Sequence, residues 1–442
     1  MKFQGEVKEI CICKNNKLNS KGEIVMNIII HRGTHQIGGS CIELSTERTR
    51  IIFDIGQELP NIDEDRPNKV SALPRVKGLY KDDIKSVDAV LISHGHGDHV
   101  GLIEAVNSEI PIFIGEKALK ILDVTSKFIG GKPILNPMNY FNSGNEIIIG
   151  DFSVTPYLVD HSGFDAYAFV IKADNKCIVY SGDLRDHGRK KKATDYFINN
   201  IPNAVDALLI EGTMMSRINE PVETEENIEQ KAYNFMKSKE NPMFVLQSST
   251  NIDRLVGMYK AAKRNGRIFV IDIFTAHIVA QLDGSIPKPG DFKDVRVFYP
   301  YYLTQRMFKD PEGERLMKQF NKYWISRKEL GKRNDYCMII RDSMLSDLQH
   351  IPNIKDAGFI YSMWSGYKKQ EKMRRLLELS ELNNMEMIDL HTSGHASIDS
   401  LQKIIHSICP KKLIPIHTEN PSLFAEKFEN VYIAKDEEII SI

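Results

Sequence analysis

The stretch Ser93-His94-Gly95-His96-Gly97-Asp98-His99 constrains this chain more than any other. Three histidines and one aspartate fall within six residues, directly after the apolar run Val87, Ala89, Val90, Leu91, Ile92, which reads as a buried strand. Gly95 and Gly97 separate the polar residues and are expected to let the backbone bend so that alternate side chains converge. Neutral imidazole and carboxylate are donors that suit zinc. His94 and His96 can share one ion, with Asp98 and His99 turned toward a second. The plainer alternative is a polar turn with Asp98 as N-cap of a helix running from about His99 to Val106. The density of ligand-type residues favours a metal site.

A chain of 442 residues is long enough for two or three domains, each with its own core. The formal net charge is -1, so a polyanionic partner must meet a local basic patch and not a global field. The cysteines (Cys11, Cys13, Cys41, Cys177, Cys337, Cys409) have no repeating spacing, which fits a reducing compartment and an expected cytoplasmic location. No run has the length of a membrane helix, and the N-terminus lacks the apolar core of a signal peptide, so no membrane contact is expected.

Along the chain, a polar, Lys-rich extension over residues 1–24, with a short edge strand around Ile10 and Ile12, precedes an antiparallel meander. That meander ends in Asp54-Ile55-Gly56. Residues 57–83, with Pro60, Pro67 and Pro74, read as a long loop. Later strands run into Asp160-His161-Ser162-Gly163 and Ser181-Gly182-Asp183. Each places a ligand-type side chain at a strand end. Alone, His161 or Asp183 reads as a turn or capping residue; their value comes from company.

Taken together, Asp54, the His94-x-His96-x-Asp98-His99 block, His161 and Asp183 resemble the ordered motifs of the metallo-β-lactamase fold. That resemblance implies an α/β fold, an αβ/βα sandwich with the site at one edge. It also implies roles: His94, His96 and His161 on one metal, Asp98 and His99 on the other, Asp183 bridging, and Asp54 orienting the histidine block from behind. Farther on, Glu211, Ser393-Gly394-His395 and His417 resemble motifs A, B and C of the β-CASP branch, and the whole pattern is similar to the ribonuclease J family and related bacterial exonuclease-like proteins. The expected organisation is the extension at 1–24, a metallo-β-lactamase domain at 25–211, an inserted α/β β-CASP domain at 212–370 and a return segment at 371–442. That family continues into a separate C-terminal domain, whereas this sequence ends 25 residues after His417.

The resemblance implies two Zn2+ per chain, with Mn2+ or Mg2+ as alternatives, His417 on the second metal, and Asp98, Asp183, Glu211 and His395 as catalytic residues. A divalent pair clamps a phosphodiester and lowers the pKa of a water to near neutrality. His395 would then hydrogen-bond the phosphoryl oxygen or protonate the leaving oxygen, with Glu211 orienting it. His417 at motif C resembles the RNA-acting β-CASP members, and that resemblance implies RNA over DNA.

For substrate binding, the basic run Arg185, Arg189, Lys190, Lys191, Lys192 follows Asp183 directly, with Arg185 and Lys190 nominated to follow phosphates. Ser248, Ser249 and Arg254 lie where a strand turns into a helix, a geometry suited to anions, and Ser393 and Gly394 offer further donors. The aromatic cluster Phe298, Tyr299, Tyr301, Tyr302 reads as core before it reads as a base-stacking surface. The resulting expectation is a metal-dependent ribonuclease, 5′-to-3′ exonucleolytic with endonuclease activity as an addition, with a homodimer as one candidate assembly. The alternatives are a DNA nuclease, another small-substrate metallo-hydrolase on this fold, and an inactive RNA-binding subunit.

Overall fold

The computed structural model describes residues 26–59, 72–173, 175–202, 205–217, 220 and 222–442. The extension expected over 1–24 lies outside the described residues, as does part of the loop at 57–83. Asn27–Arg32, Cys41–Ser45 and Arg50–Phe53 form the expected antiparallel meander. Ala89–Leu91, Ile112–Ile114 and Met138–Tyr140 extend it in parallel, and Ile439–Ser441 closes its other edge, giving seven strands. A second, six-stranded sheet runs in the order Leu413–Ile416, Ala207–Glu211, Lys176–Tyr180, Ala166–Ala173, Phe152–Val159, Ile147–Ile149.

Alternating apolar residues decide which faces meet. Ile28, Ile30, Phe53 and Leu91 of the first sheet pack on Phe152, Phe169, Tyr180 and Ile414 of the second, with the Phe53 and Phe169 rings 5.1 Å apart. Outside the first sheet, Ala118 and Leu119 of the helix Glu116–Ile129 cover Ile52, Val90 and Ile112. Outside the second, Phe197 of Lys191–Asn199 and Leu401 and Ile404 of Ile398–Ile408 cover Val170, Val179 and Leu208. This is the αβ/βα sandwich.

A third sheet is all-parallel, in the order Val295–Phe298, Ile268–Asp272, Tyr336–Ile340, Met243–Leu246, Gly358–Tyr361, Glu386–Asp389. Its four inner strands are near-continuous apolar runs because apolar clusters cover both faces. The sequence reading ends this inserted unit at 370. Met373, Leu376 and Leu379 of the helix Glu371–Leu382 bury their stripe in it, and Glu386–Asp389 is its edge strand. The chain therefore returns to the sandwich only after Leu390, because those residues have no other sheet face to cover.

The carboxyl ends of Arg50–Phe53, Ala89–Leu91, Phe152–Val159, Lys176–Tyr180, Ala207–Glu211 and Leu413–Ile416 lead into Asp54, the His94 block, His161, Asp183, Glu211 and His417. Backbone bonds tie these ends together: Asp54 N donates to Leu91 O at 2.9 Å, Ile55 N to His99 O at 2.8 Å and His417 N to Gly33 O at 2.7 Å.

Candidate metal centre

Two of the strand ends turn by adopting a conformation that side chains rarely take. Asp54 has φ 60° and His417 φ 50°, both in the left-handed region. The expected bend at Gly95 and Gly97 is made differently. Neither glycine has a positive φ, and a Cβ at Gly97 would meet nothing within 4 Å. The helix Gly97–Val100, with His96 at its N-cap and Asp98 in its first turn, is what fans out the side chains. It is shorter than the expected helix to Val106; a separate 3-10 turn, Ile103–Ala105, follows. Gly163 is needed for space instead, since a Cβ there would lie 3.0–3.2 Å from His94, His161 and His96 atoms.

The histidine nitrogens can be accounted for one by one. His99 Nδ1 donates to Asp54 Oδ2 at 2.8 Å, and Asp54 also accepts from Ser93 N (2.7 Å), Ser93 Oγ (2.8 Å) and Tyr180 Oη (2.5 Å). With its proton on Asp54, Ser93 Oγ accepts from His94 Nδ1 at 3.0 Å. His161 Nδ1 donates to Gly394 O at 2.6 Å, and His417 Nδ1 meets Thr213 Oγ1 at 2.9 Å. These four rings thus each fix one nitrogen on the protein and turn the other inward, the arrangement that orients metal-bound imidazole, while His96 Nδ1 lies 3.1 Å from His161 Nε2.

Four of the inward atoms have no hydrogen-bond partner. His94 Nε2, His99 Nε2 and both carboxylate oxygens of Asp183 are buried and make no hydrogen bond. Yet Asp183 Oδ2 lies 3.1 Å from His99 Nε2, 3.7 Å from His94 Nε2 and 3.9 Å from His417 Nε2. Buried polar atoms left unpaired cost about 1–3 kcal/mol each, so such a cluster needs something to bind. Ligand atoms within 4.8 Å of one another group as His94, His96, His161; as His94, His99, Asp183; and as Asp98, His99, His417. The donor chemistry and the unpaired atoms fit divalent cations.

Charge does not treat the rings alike: burial would lower His99, yet Asp183 and Asp54 raise it well above the usual histidine range. Burial, then neighbouring imidazoles, hold His94 and His161 well below the usual histidine range, which keeps them neutral as metal ligands must be. Burial alone would raise Asp183, but His417, His99 and His395 outweigh it and hold the carboxyl well below its usual range. Burial would likewise lower His395, yet Glu211 and Asp183 raise it above the usual value. Its Nδ1 stands 3.4 Å from Glu211 Oε2 and 3.6 Å from Asp183 Oδ2. Glu211 Oε1 also accepts from Ala396 N at 2.9 Å, pinning the loop that carries His395.

All residues expected at the metals and at motifs A to C come together at this one edge. The expected substrate contacts fare differently. Arg185 and Arg254 are fully buried and cannot reach a substrate. Arg185 binds Asp160 at 3.2 Å, Glu225 at 3.2 Å, Asp253 at 2.8 Å and the Ser393 carbonyl at 3.1 Å. Arg254 binds both oxygens of Glu225 and the Leu390 carbonyl. Three carboxylates recruited from distant sequence withdraw these cations from solvent. Lys190 is held by Asp253 at 3.0 Å, and Arg189 by Glu229 at 2.7 Å. Ser249 is buried and accepts from Thr275, whereas Ser248 is exposed. Ser393 and Gly394 offer their carbonyls to Arg185, His187 and His161 and so brace the loop. Phe298 is core, as expected, but Tyr301 and Tyr302 are exposed. Sequence reasoning assigned no role to Ser93, Tyr180 or Thr213, although each adjoins a motif residue or lies within three positions of one.

Comparison with known proteins agrees with this centre. A profile described as "Beta-lactamase superfamily domain" matches residues 50–225, and one described as "Zn-dependent metallo-hydrolase RNA specificity domain" matches residues 384–436. The chain is similar to ribonuclease J of Mycoplasma genitalium, 24% identical over 88% of this chain and 67% of that one. It is similar also to an RNase J-like protein of Methanocaldococcus jannaschii, 23% identical over 88% of this chain and 91% of that one. A crystal structure of a protein of unknown function from Enterococcus faecalis V583 shares the fold, with a TM-score of 0.77 and 24% identity over 95% of this chain and 100% of that one.

Proposed function

The chain joins a metallo-β-lactamase domain to an RNA-specificity segment and is related to ribonuclease J, and on that premise we propose that it is a metal-dependent ribonuclease that hydrolyses RNA phosphodiester bonds. The observation that carries this reading is the buried set of unpaired donors around Asp183. In this reading His94, His96 and His161 would hold one Zn2+ and Asp98, His99 and His417 a second, with Asp183 as a ligand grouped with His94 and His99. Such a pair, when bound, supplies a hydroxide near neutral pH and a clamp for the phosphodiester.

The chain's own groups do the rest. Asp54 fixes the tautomer of His99 and, through Ser93, that of His94. His395, whose pKa Glu211 and then Asp183 raise against its burial, is placed to donate a proton toward the phosphoryl or leaving oxygen. Because His395 also lies within ligand distance of Glu211 and His417, metal content in a His395 variant separates proton donor from ligand.

The narrower proposal is a preference for a 5′-monophosphorylated end. Exposed Ser248 lies two residues past the strand Met243–Leu246, and the helix that follows is tied through Asp253 and Arg185 to Ser393. A hydroxyl at that turn is offered as a donor to a terminal monophosphate, which carries more charge than an internal phosphodiester. The test compares 5′-monophosphate, 5′-triphosphate, 5′-hydroxyl and circular forms of one RNA, with a matched DNA. Fastest loss of the monophosphorylated RNA supports the proposal. Equal cleavage of the circle would show an endonuclease without an end pocket, and preference for DNA would overturn the ribonuclease assignment.

A further inference from the structure

The basic side chains first nominated to hold RNA are spent on carboxylates, yet a strand entering the centre needs a cation beside it. Among the described residues, Arg217 is a cation close to the centre with no carboxylate within ion-pair distance. It follows the 3-10 turn Thr213–Ser216, whose first residue meets His417 Nδ1 at 2.9 Å and His395 Nδ1 at 3.3 Å. At about 2.0 Å per residue, Arg217 stands roughly 8 Å along the turn from that contact.

Its guanidinium sits over an aromatic ring. Arg217 Cζ lies 4.4 Å from the centroid of the Trp364 ring. The indole is itself fixed: Nε1 donates to Glu220 at 3.0 Å, and the Tyr367 ring meets it edge-on at 5.5 Å. A Cβ at Gly366 would come within 2.3 Å of the indole, so only glycine lets Trp364 fold back over its own turn. Tyr367 stands within the field of both Asp98 and Arg217; burial first, then Asp98, raise its phenol pKa, while Arg217 lowers it. Arg217 departs from the second sheet of the sandwich, whereas Trp364 and Tyr367 follow Gly358–Tyr361 at the carboxyl edge of the inserted parallel sheet. That edge is where open parallel sheets receive ligands.

We propose that Arg217, stacked on Trp364 and backed by Tyr367, is the platform that holds single-stranded RNA beside the metal centre, taking a backbone phosphate at the guanidinium edge and a base on its open face. The ring prepays the ordering of a flexible side chain, and no carboxylate neutralises its charge. This rests on the ribonuclease reading of the same centre.

The test is steady-state kinetics of the metal-loaded full chain on a labelled single-stranded oligoribonucleotide over a range of salt. Arg217→Ala is expected to raise KM at least ten-fold, with the loss outside kcat. It should also flatten the slope of log(kcat/KM) against log salt by about 0.7, the signature of one lost single-strand phosphate contact. Arg217→Lys should keep the slope and lose affinity, and Trp364→Phe, which keeps a ring and the packing, should fall between. Wild-type KM and slope in Arg217→Ala, in an enzyme that cleaves the RNA, would overturn the platform alone. So would a fall in kcat with loss of bound metal, which would make Arg217 a prop for Thr213. Wild-type protein inert toward RNA would refute the nuclease reading, and this proposal with it.

Discussion

Replacing Arg185 by alanine should destabilise the fold by removing the cation that joins the sandwich to the inserted domain. Arg185 donates to Asp160, Glu225, Asp253 and the Ser393 carbonyl from a fully buried position. The loss is unevenly shared. Glu225 keeps both bonds from Arg254, Asp253 keeps Lys190, and Ser393 O keeps His187 Nε2 at 2.8 Å. Asp160 keeps only Lys190, at 4.0 Å, and burial already raises its pKa. One buried carboxylate is therefore left nearly unpaired, a defect that costs about 3–5 kcal/mol. With about 2.1 cal/mol/K of unfolding entropy per residue, a chain of this size melting as one unit loses about 1 °C per kcal/mol. The expected fall in Tm is thus about 3–5 °C by calorimetry. Adding Asp160→Asn should restore part of it, because the orphaned charge is then gone. A Tm within about 1 °C of wild type, or no recovery in the double variant, would refute the reasoning.

Three further outcomes follow from the same geometry. Asp183→Ala should abolish RNA hydrolysis and lower bound metal while circular dichroism shows a folded protein; undiminished activity would remove Asp183 from the centre. His395→Ala should lower turnover by about 10²–10⁴-fold with metal content near wild type, whereas loss of metal would make His395 a ligand. Burial, then Arg254, hold His391 down at about 3 in the folded chain, so its contribution is present above about pH 6.5 and is lost as pH falls toward 3. Thermal melts across that window should decline for wild type and less steeply for His391→Gln; parallel curves would contradict the assignment.

The metal centre was legible because its chemistry is local. His94, His96, Asp98 and His99 are adjacent in sequence, and Asp54, His161, Asp183 and His417 each follow an apolar strand. A strand end fixes a side chain's position without any need to know the fold. The substrate contacts were not legible in the same way. Arg185 reads as free because its partners Asp160, Glu225 and Asp253 lie 25, 40 and 68 residues away; Asp160 meets it across the second sheet, and only the joining of the two domains adds Glu225 and Asp253. Arg217 carries no neighbouring signal at all; its meaning depends on Trp364 of the inserted domain. The end of the inserted domain was misplaced for a similar reason. Parallel neighbours such as Gly358–Tyr361 and Glu386–Asp389 are paired through a helix, and no local pattern says which sheet a strand joins.

The central claim is that the unpaired donors around Asp183 hold divalent metal and that this centre cleaves RNA. The direct measurement strips the purified chain with a chelator, assays a labelled RNA, then restores Zn2+ while counting bound ions by mass spectrometry. The account predicts loss of cleavage on stripping and its return as occupancy approaches two ions per chain. Cleavage unaffected by stripping, or full metal occupancy without cleavage of any RNA, would contradict it.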